Sequence, residues 1–292
     1  MAVTILCIGD LVGKPGRGLL SDHLRKFIDE RSIDLVICNA ENAAGGSGLT
    51  PQIFHKLLRY GVDVVTLGDH VYRRLEITLA MKSEDVADRV VRPANLSAKA
   101  IGKGWTVVKT KDGKHDVAVV CVVGQMFMGQ YDSPWAAVDR ILGAIPKDVK
   151  IRVLDFHAEA SSEKIGMGWY LNGRASVVFG THTHVPTADA RVLDRGTAYI
   201  SDVGMTGPYD SVLGRRKERV LHAMTTSMPT PFLVADGDPR LCGVLVSANA
   251  TTGMAESIER IEICGRVGEG EGPSSDDGEG NAEKADTGEG NE

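Results

Sequence analysis

Five apolar, strand-like runs in this 292-residue chain end in side chains able to hold a cation, and that recurrence narrows the folds open to it. Val3 to Ile8 runs into Gly9-Asp10, Asp34 to Cys38 into Ala40-Glu41-Asn42, and Val62 to Leu67 into Gly68-Asp69-His70. Ile151 to Phe156 carries Asp155 and delivers His157, and Ser176 to Phe179 passes through Gly180 to His182 and His184. Each alone has an ordinary reading. An Asp after a strand is a turn or helix cap, an Asn is a turn residue, and an H-x-H pair can be one core histidine and one exposed one. Capping does not account for five in succession. In α/β folds ligands bind outside the carboxyl ends of the strands, so these side chains are expected to converge in one crevice. The spacing of His182 and His184 predicts two imidazoles pointing the same way from an extended segment, with Gly180 removing bulk and Pro186 stiffening the exit.

Helical patterns separate the early runs. One starts near Pro15 with Leu19, Leu20, Leu24, Phe27 and Ile28 at helical spacing, one is opened by Thr50-Pro51, and a short one covers Leu75 to Met81. The first third therefore reads β-α-β-α-β-α with strands apolar on both faces, which predicts a parallel sheet covered by helices. Past Arg89, Trp105 to Lys109 and Asp116 to Val123 read as an antiparallel hairpin. Helices near Pro134 to Ile145 and Ser162 to Tyr170 follow, and short strands are expected near Ala198, Phe232, Leu241 to Ser247 and Ser257 to Cys264. The expected fold class is mixed α/β, with two layered sheets in one domain over residues 1–264.

No apolar run approaches membrane-spanning length, and Met1 leads straight into a strand rather than an export signal. Cys7, Cys38 and Cys121 sit inside apolar runs, and no two of the five cysteines form C-x-x-C, so buried thiols in a reducing, cytoplasmic setting are expected. The net charge of −6 is local: residues 265–292 hold nine acidic residues against Arg266 and Lys284, leaving about +1 for the body. This Gly- and Glu-rich tail has too little apolar surface to offset its ordering entropy and is expected to be disordered. The near-neutral body offers no broad basic face for nucleic acid.

Carboxylates, an amide and imidazoles without thiolate suit manganese, iron or zinc, and the donors outnumber what one tetrahedral ion needs, so two ions are implied. A nucleotide P-loop is disfavoured in GDLVGK, where Gly9 and Gly13 are one residue too close and Pro15 stands where a magnesium-binding hydroxyl belongs.

The order GD, an acidic residue followed by Asn, G-[N/D]-H, a lone His and GTHTHVP resembles the calcineurin-like metallophosphoesterases. GDLVGKPGR, NAENAAGGSGLT, VRPAN, DFHAEASSEK, NGRASVVFGTHTHVPTAD and SDVGMTGPYD resemble more closely a compact bacterial branch acting as 2′,3′-cyclic nucleotide phosphodiesterases, over essentially Val3 to Cys264. The resemblance implies a two-sheet β-sandwich flanked by helices (four layers, α/β/β/α) and a dinuclear iron or manganese centre, zinc being a further candidate. It also implies hydrolysis of a cyclic nucleotide by a metal-bridging hydroxide. Asp10, Asn42 and His184 would hold one ion, Asp69, His157 and His182 the other, and Glu41 would bridge them. His70 would be the general acid; an extra ligand or a hydrogen-bonding scaffold is its alternative role. Other activities stay open: a phosphomonoesterase or phosphoprotein phosphatase, or a metal-loaded nucleotide-binding signalling protein with little turnover. So does homo-oligomerisation.

Two departures stand out. Many members of the wider family have a second histidine ligand shortly after the first Asp, whereas this chain reads Asp10-Leu11-Val12, a gap the compact branch shares. Asp69 stands where the family normally has Asn; its added charge is expected to tighten metal binding, reduce Lewis acidity and favour a protonated His70. Met205, Gly207, Pro208 and Tyr209 read as a loop, either at the substrate mouth or a plain turn. Met126-Phe127-Met128 reads as an apolar core segment or, alternatively, a base-stacking one. His23, His55, His115 and His222 are assigned no role.

Overall fold

The computed structural model describes residues 2–84 and 86–265, so the expected acidic tail lies, beyond Gly265, outside the described residues. The chain begins with β1 (Ala2–Ile8), a two-residue β2 (Asp10–Leu11), and a helix in two segments, α1 (Gly13–Leu19) and α2 (Arg25–Arg31), joined by a π-helical turn over Leu20–Leu24. β3 (Leu35–Asn39), α3 (Pro51–Tyr60), β4 (Val64–Thr66), α4 (Ile77–Lys82) and β5 (Val90–Val91) follow. The hairpin is β6 (Trp105–Lys109) and β7 (Asp116–Val123), and then come α5 (Pro134–Ala144), β8 (Ile151–His157), α6 (Ser161–Tyr170), β9 (Val177–Thr181), β10 (Arg191–Val192) and β11 (Ala198–Ile200). β12 (Met205–Pro208), α7 (Lys217–Thr226), β13 (Pro239–Asn249) and β14 (Ala255–Cys264) complete it. Two helices start as their sequences dictate: Thr50 Oγ1 accepts from Ile53 N at 3.3 Å and Ser133 Oγ from Ala136 N at 3.3 Å, each followed by proline at the first helical position.

β1, β3, β4 and β5 run parallel in the first sheet. β13 pairs antiparallel with β1, with Ala2 opposite Asn249 and Ile8 opposite Gly243, and carries β14 on its other edge. Farther along, β13 also pairs with β12, which lies parallel to β2. The second sheet has the order β10-β11-β9-β8-β7-β6, parallel through its centre and antiparallel at both ends.

Alternation along the strands explains why the runs read as continuously apolar. Val3, Ile5 and Cys7 of β1 enter the interface between the sheets, where they meet Ile37 and, from the second sheet, Val119, Val153 and Phe179. Leu6 and Ile8 face the other way and pack with Leu20, Leu24 and Phe54 of the covering helices. On the far side Val120, Leu154 and Val178 pack against Val138 of α5 and Met167 of α6. Both faces of each central strand are therefore buried, giving the expected four layers. Among the described residues no helix is long and apolar enough to cross a membrane.

Three local expectations fail for physical reasons. No strand forms at Phe232, which is half exposed; only Val234 makes an isolated bridge, to Arg215, because this short run has no sheet edge to bury it. Met205 to Pro208, expected as a loop, is β12, whose partners at Asp10–Leu11 and Pro239–Arg240 are remote in sequence. Met126 and Phe127 are exposed rather than core, since three apolar residues are too few to show a period and the chain leaves the sheet at Val123. Phe179 is fully buried between the sheets, so Phe179→Ala is expected to cost about 3–5 kcal/mol in urea unfolding. Phe127→Ala, at an exposed site, is expected to cost under about 0.5 kcal/mol.

Candidate metal centre

The carboxyl ends of both sheets meet at one place, the first bringing all the candidate carboxylate ligands and the second three of the four imidazoles. From the first sheet come Asp10 in β2, Glu41 and Asn42 after β3, and Asp69 and His70 after β4; from the second come His157 at the end of β8 and His182 and His184 after β9. One ligand atom each from Glu41, Asp69, His157 and His182 lies within 4.8 Å of the others. His157 Nε2 is 3.0 Å from Asp69 Oδ1 and 3.3 Å from Glu41 Oε1, and His182 Nδ1 is 3.1 Å from His157 Nε2. Beside this group, His184 Nε2 is 3.9 Å from Asp10 Oδ1 and 3.3 Å from Asn42 Nδ2.

The outer nitrogen of each histidine is held. His157 Nδ1 meets Thr181 Oγ1 at 2.9 Å, and Thr181 donates in turn to Asp155 at 2.7 Å. His182 Nε2 is 3.2 Å from Glu159 Oε2, and His184 Nδ1 is 3.1 Å from the Leu213 carbonyl. Each contact accepts a ring proton at the outer nitrogen, so a bound cation would meet His157 Nε2, His182 Nδ1 and His184 Nε2 as lone pairs, which is how metal-binding histidines are oriented.

Two further observations fit a cation. Asp10 Oδ1 is buried with no hydrogen-bond partner, while Oδ2 accepts from His182 N at 3.1 Å. A Cβ on Gly68 would stand 2.3 Å from His157 Nε2 and 2.4 Å from Glu41 Oε2, so only glycine keeps the space between those donors. The donor set is oxygen and imidazole nitrogen, suited to borderline transition ions.

The histidine pair is not presented as the H-x-H spacing predicts. β9 ends at Thr181, and His182 (φ +94°) and His184 (φ +63°) are both left-handed, a conformation costing roughly 1–3 kcal/mol at a non-glycine residue. A buried pair holds this turn: Lys164 Nζ contacts Asp202 Oδ2 at 2.7 Å, and the same oxygen accepts from Thr183 N at 3.1 Å and Thr183 Oγ1 at 2.6 Å. Gly180 lets the Ser201 carbonyl pass where a Cβ would come within 1.7 Å of it. Asn42 also differs from expectation. Its Oδ1 faces His70 Nδ1 at 2.8 Å and its Nδ2 faces Glu41 Oε1 at 3.1 Å, so offering oxygen to a cation needs a half-turn of the carboxamide. His70 is further fixed by its main-chain N donating to Glu41 Oε2 at 3.0 Å, and its Nε2 lies 3.7 Å from Asp69 Oδ2.

Burial raises the Asp10 carboxyl well above its usual range, against the opposing pull of His157. Burial alone would lower His157, but Glu41, Asp69 and Asp10 outweigh it and raise the imidazole. His182 is pushed down to about 4 by burial and by His157, and burial likewise lowers His184.

The family described as YmdB-like protein matches residues 6–261. The chain belongs to the YmdB-like family. That group lies within the calcineurin-like metallophosphoesterases, as the motifs implied. A 2′,3′-cyclic-nucleotide 2′-phosphodiesterase of Bacillus subtilis is 44% identical over 259 residues, covering 89% of this chain and 96% of that protein. A crystal structure of a hypothetical protein from Thermus thermophilus superimposes with a TM-score of 0.83 at 39% identity, covering 90% of this chain and 99% of that one. A novel phosphatase from Mycoplasma pneumoniae gives a TM-score of 0.83 at 29% identity, covering 90% and 94%. A 5′-nucleotidase from Candida albicans, at 12% identity and a TM-score of 0.54 over 90% of this chain and 52% of its own, shares the fold.

Gly68→Ala is expected to lower bound metal, measured by elemental analysis of the purified protein, because the methyl group occupies the space between His157 and Glu41. A pH dependence also follows. The folded pKa of His182, about 4, lies below its ordinary 6.5, so this group stabilises the fold above about pH 6.5 and the contribution is lost as pH falls toward 4. Metal-stripped wild type is expected to lose stability relative to His182→Gln across that window, read by urea unfolding.

Proposed function

We propose that this YmdB-like phosphoesterase hydrolyses nucleoside 2′,3′-cyclic phosphates at a two-ion centre of manganese or iron, in the cytoplasm. The observation that carries the reading is the set of three histidines with oriented inner nitrogens, facing carboxylates from the opposite sheet. The Bacillus subtilis relative's name supports the substrate class. Asp10, Asn42 and His184 would hold one ion, Asp69, His157 and His182 the other, with Glu41 between them. Two such ions supply Lewis acidity, making water nucleophilic near neutral pH and offsetting charge on the phosphoryl oxygens.

The chain's own residues do the rest. Thr181, Glu159 and the Leu213 carbonyl keep the imidazoles in a fixed tautomer and orientation, so no reorganisation is needed when substrate enters. His70 sits at the rim, about a quarter exposed, with its main-chain N on Glu41 and Nδ1 on Asn42. That leaves Nε2 toward the substrate side, where it would give its proton to the departing ribose oxygen. The Asp69 carboxylate faces the same nitrogen.

With adenosine 2′,3′-cyclic phosphate and manganese-loaded protein, turnover is expected to vanish on chelation and to fall roughly 10²–10⁴-fold in His70→Ala with metal content retained. Turnover unaffected by either change, or confined to phosphomonoesters, would reject the reading. Asp69→Asn is expected to retain metal while shifting kcat or the pH optimum; an unchanged rate and pH profile would remove any special role for that carboxylate.

A further inference from the structure

The segment between β7 and α5 contributes nothing to holding metal, yet it starts beside the candidate centre. Gly124 N donates to the carbonyl of His157 at 2.9 Å, and the next two main-chain N–H groups, of Gln125 and Met126, donate to the buried carboxylate of Glu163. At its far end Asp132 N donates to the Asn95 carbonyl at 3.1 Å, and Asn95 Nδ2 donates back to the Asp132 carbonyl at 2.9 Å. Between these anchors the chain lifts Phe127 out to 86% exposure on a left-handed backbone (φ +66°), an uncommon placement for a bulky aromatic residue.

Tyr131 lines, with Asn95, Leu96 and Gln130, an open cavity of about 500 Å³, within the size range of small-molecule sites. The walls of this cavity leave the same strand ends as the candidate centre: Val123, whose N donates to Asn95 Oδ1 at 2.9 Å, is paired in register with His157, and Val91, ahead of Asn95, is paired with Thr66, ahead of Asp69. In keeping with that placement, burial and then the Asp69 carboxylate raise the Tyr131 phenol. The cavity floor is rigid because Asn95 is committed through Nδ2 to the Val123 and Asp132 carbonyls and through Oδ1 to Val123 N. Gln130 and Asp132 stand at its edge, offering donor and acceptor groups of the kind that meet the polar rim of a heterocycle.

We propose that this cavity is the nucleobase site of the enzyme, with Tyr131 as the stacking platform and the exposed Phe127, on the same segment, as a second aromatic face available to the base. The proposal rests on the cyclic phosphodiesterase reading and adds the part of the substrate remote from phosphorus. An aromatic platform accepts any base through its π-face, so the site confers preference for nucleotides over base-free phosphodiesters rather than for one base.

The test uses the metal-loaded full chain and two probes, adenosine 2′,3′-cyclic phosphate and methyl riboside 2′,3′-cyclic phosphate, which lacks a base. Dissociation constants come from calorimetry, and KM and kcat are measured in parallel. Wild type is expected to bind the base-bearing probe about ten-fold or more tightly. Tyr131→Ala is expected to remove that preference by raising Kd and KM for the base-bearing probe, with affinity for the base-free probe and bound metal retained, and Tyr131→Phe to restore it. Phe127→Ala, which removes an exposed ring and leaves the fold intact, is expected to weaken only the base-bearing probe. Equal wild-type affinity for both probes, or equal losses for both in Tyr131→Ala, would overturn the proposal. A wild type that binds the base-bearing probe more tightly but hydrolyses neither would sustain the base site and overturn the activity; hydrolysis of both with equal KM would do the reverse.

Discussion

Asp10 and Glu41 are buried within range of each other's fields, with Asp155 buried on the far side of His157's hydrogen-bond chain, and carboxylates in a low-dielectric interior repel strongly unless compensated. The compensation is unequal. Asp155 is satisfied by donors from Asn39, Thr66 and Thr181, Glu41 is drawn down by His157 against the effect of burial, and Asp10 keeps one oxygen without a donor. A protein tolerates such an arrangement when a cation supplies the missing charge, and the surrounding structure is organised to keep that charge in one place.

The separation of ligand types between the two sheets follows from the same constraint. Among the candidate ligands the first sheet supplies the acids and the Asn42 amide and the second the three imidazoles, so neither edge holds the candidate centre alone. Packing in that seam, with Phe179 and Val153 against Ile5 and Ile37, therefore sets the donor distances as well as the stability. The turn that carries His182 and His184 is the costly part, and the buried Lys164–Asp202 pair holds it through Thr183.

Much of this was legible in the chain. Strands buried on both faces, the proline-led helices at Thr50 and Ser133, the hairpin of Trp105–Lys109 with Asp116–Val123 and the donors after each strand all depend on neighbouring residues, and the structure places those donors together. What local patterning could not show depends on distant contacts. β12 needs partners near both ends of the chain, the left-handed turn is imposed by Asp202, and the groups holding the histidines (Thr181, Glu159, Leu213) have no spacing of their own. Glu159 was the most accessible of these, standing two residues after His157. Met126-Phe127-Met128 misled as a core segment because composition alone does not say which way a loop faces.

The pairing of β1 with β13 carries a consequence for biosynthesis. The strand that leads into Asp10 is made well before its antiparallel neighbour, Gly243 to Asn249. Until that neighbour arrives, the hydrogen-bonding edge of the N-terminal strand is open and the first acid has no fixed address. A polypeptide terminated ahead of β13 would carry every candidate donor and lack the neighbour that fixes Asp10 among them.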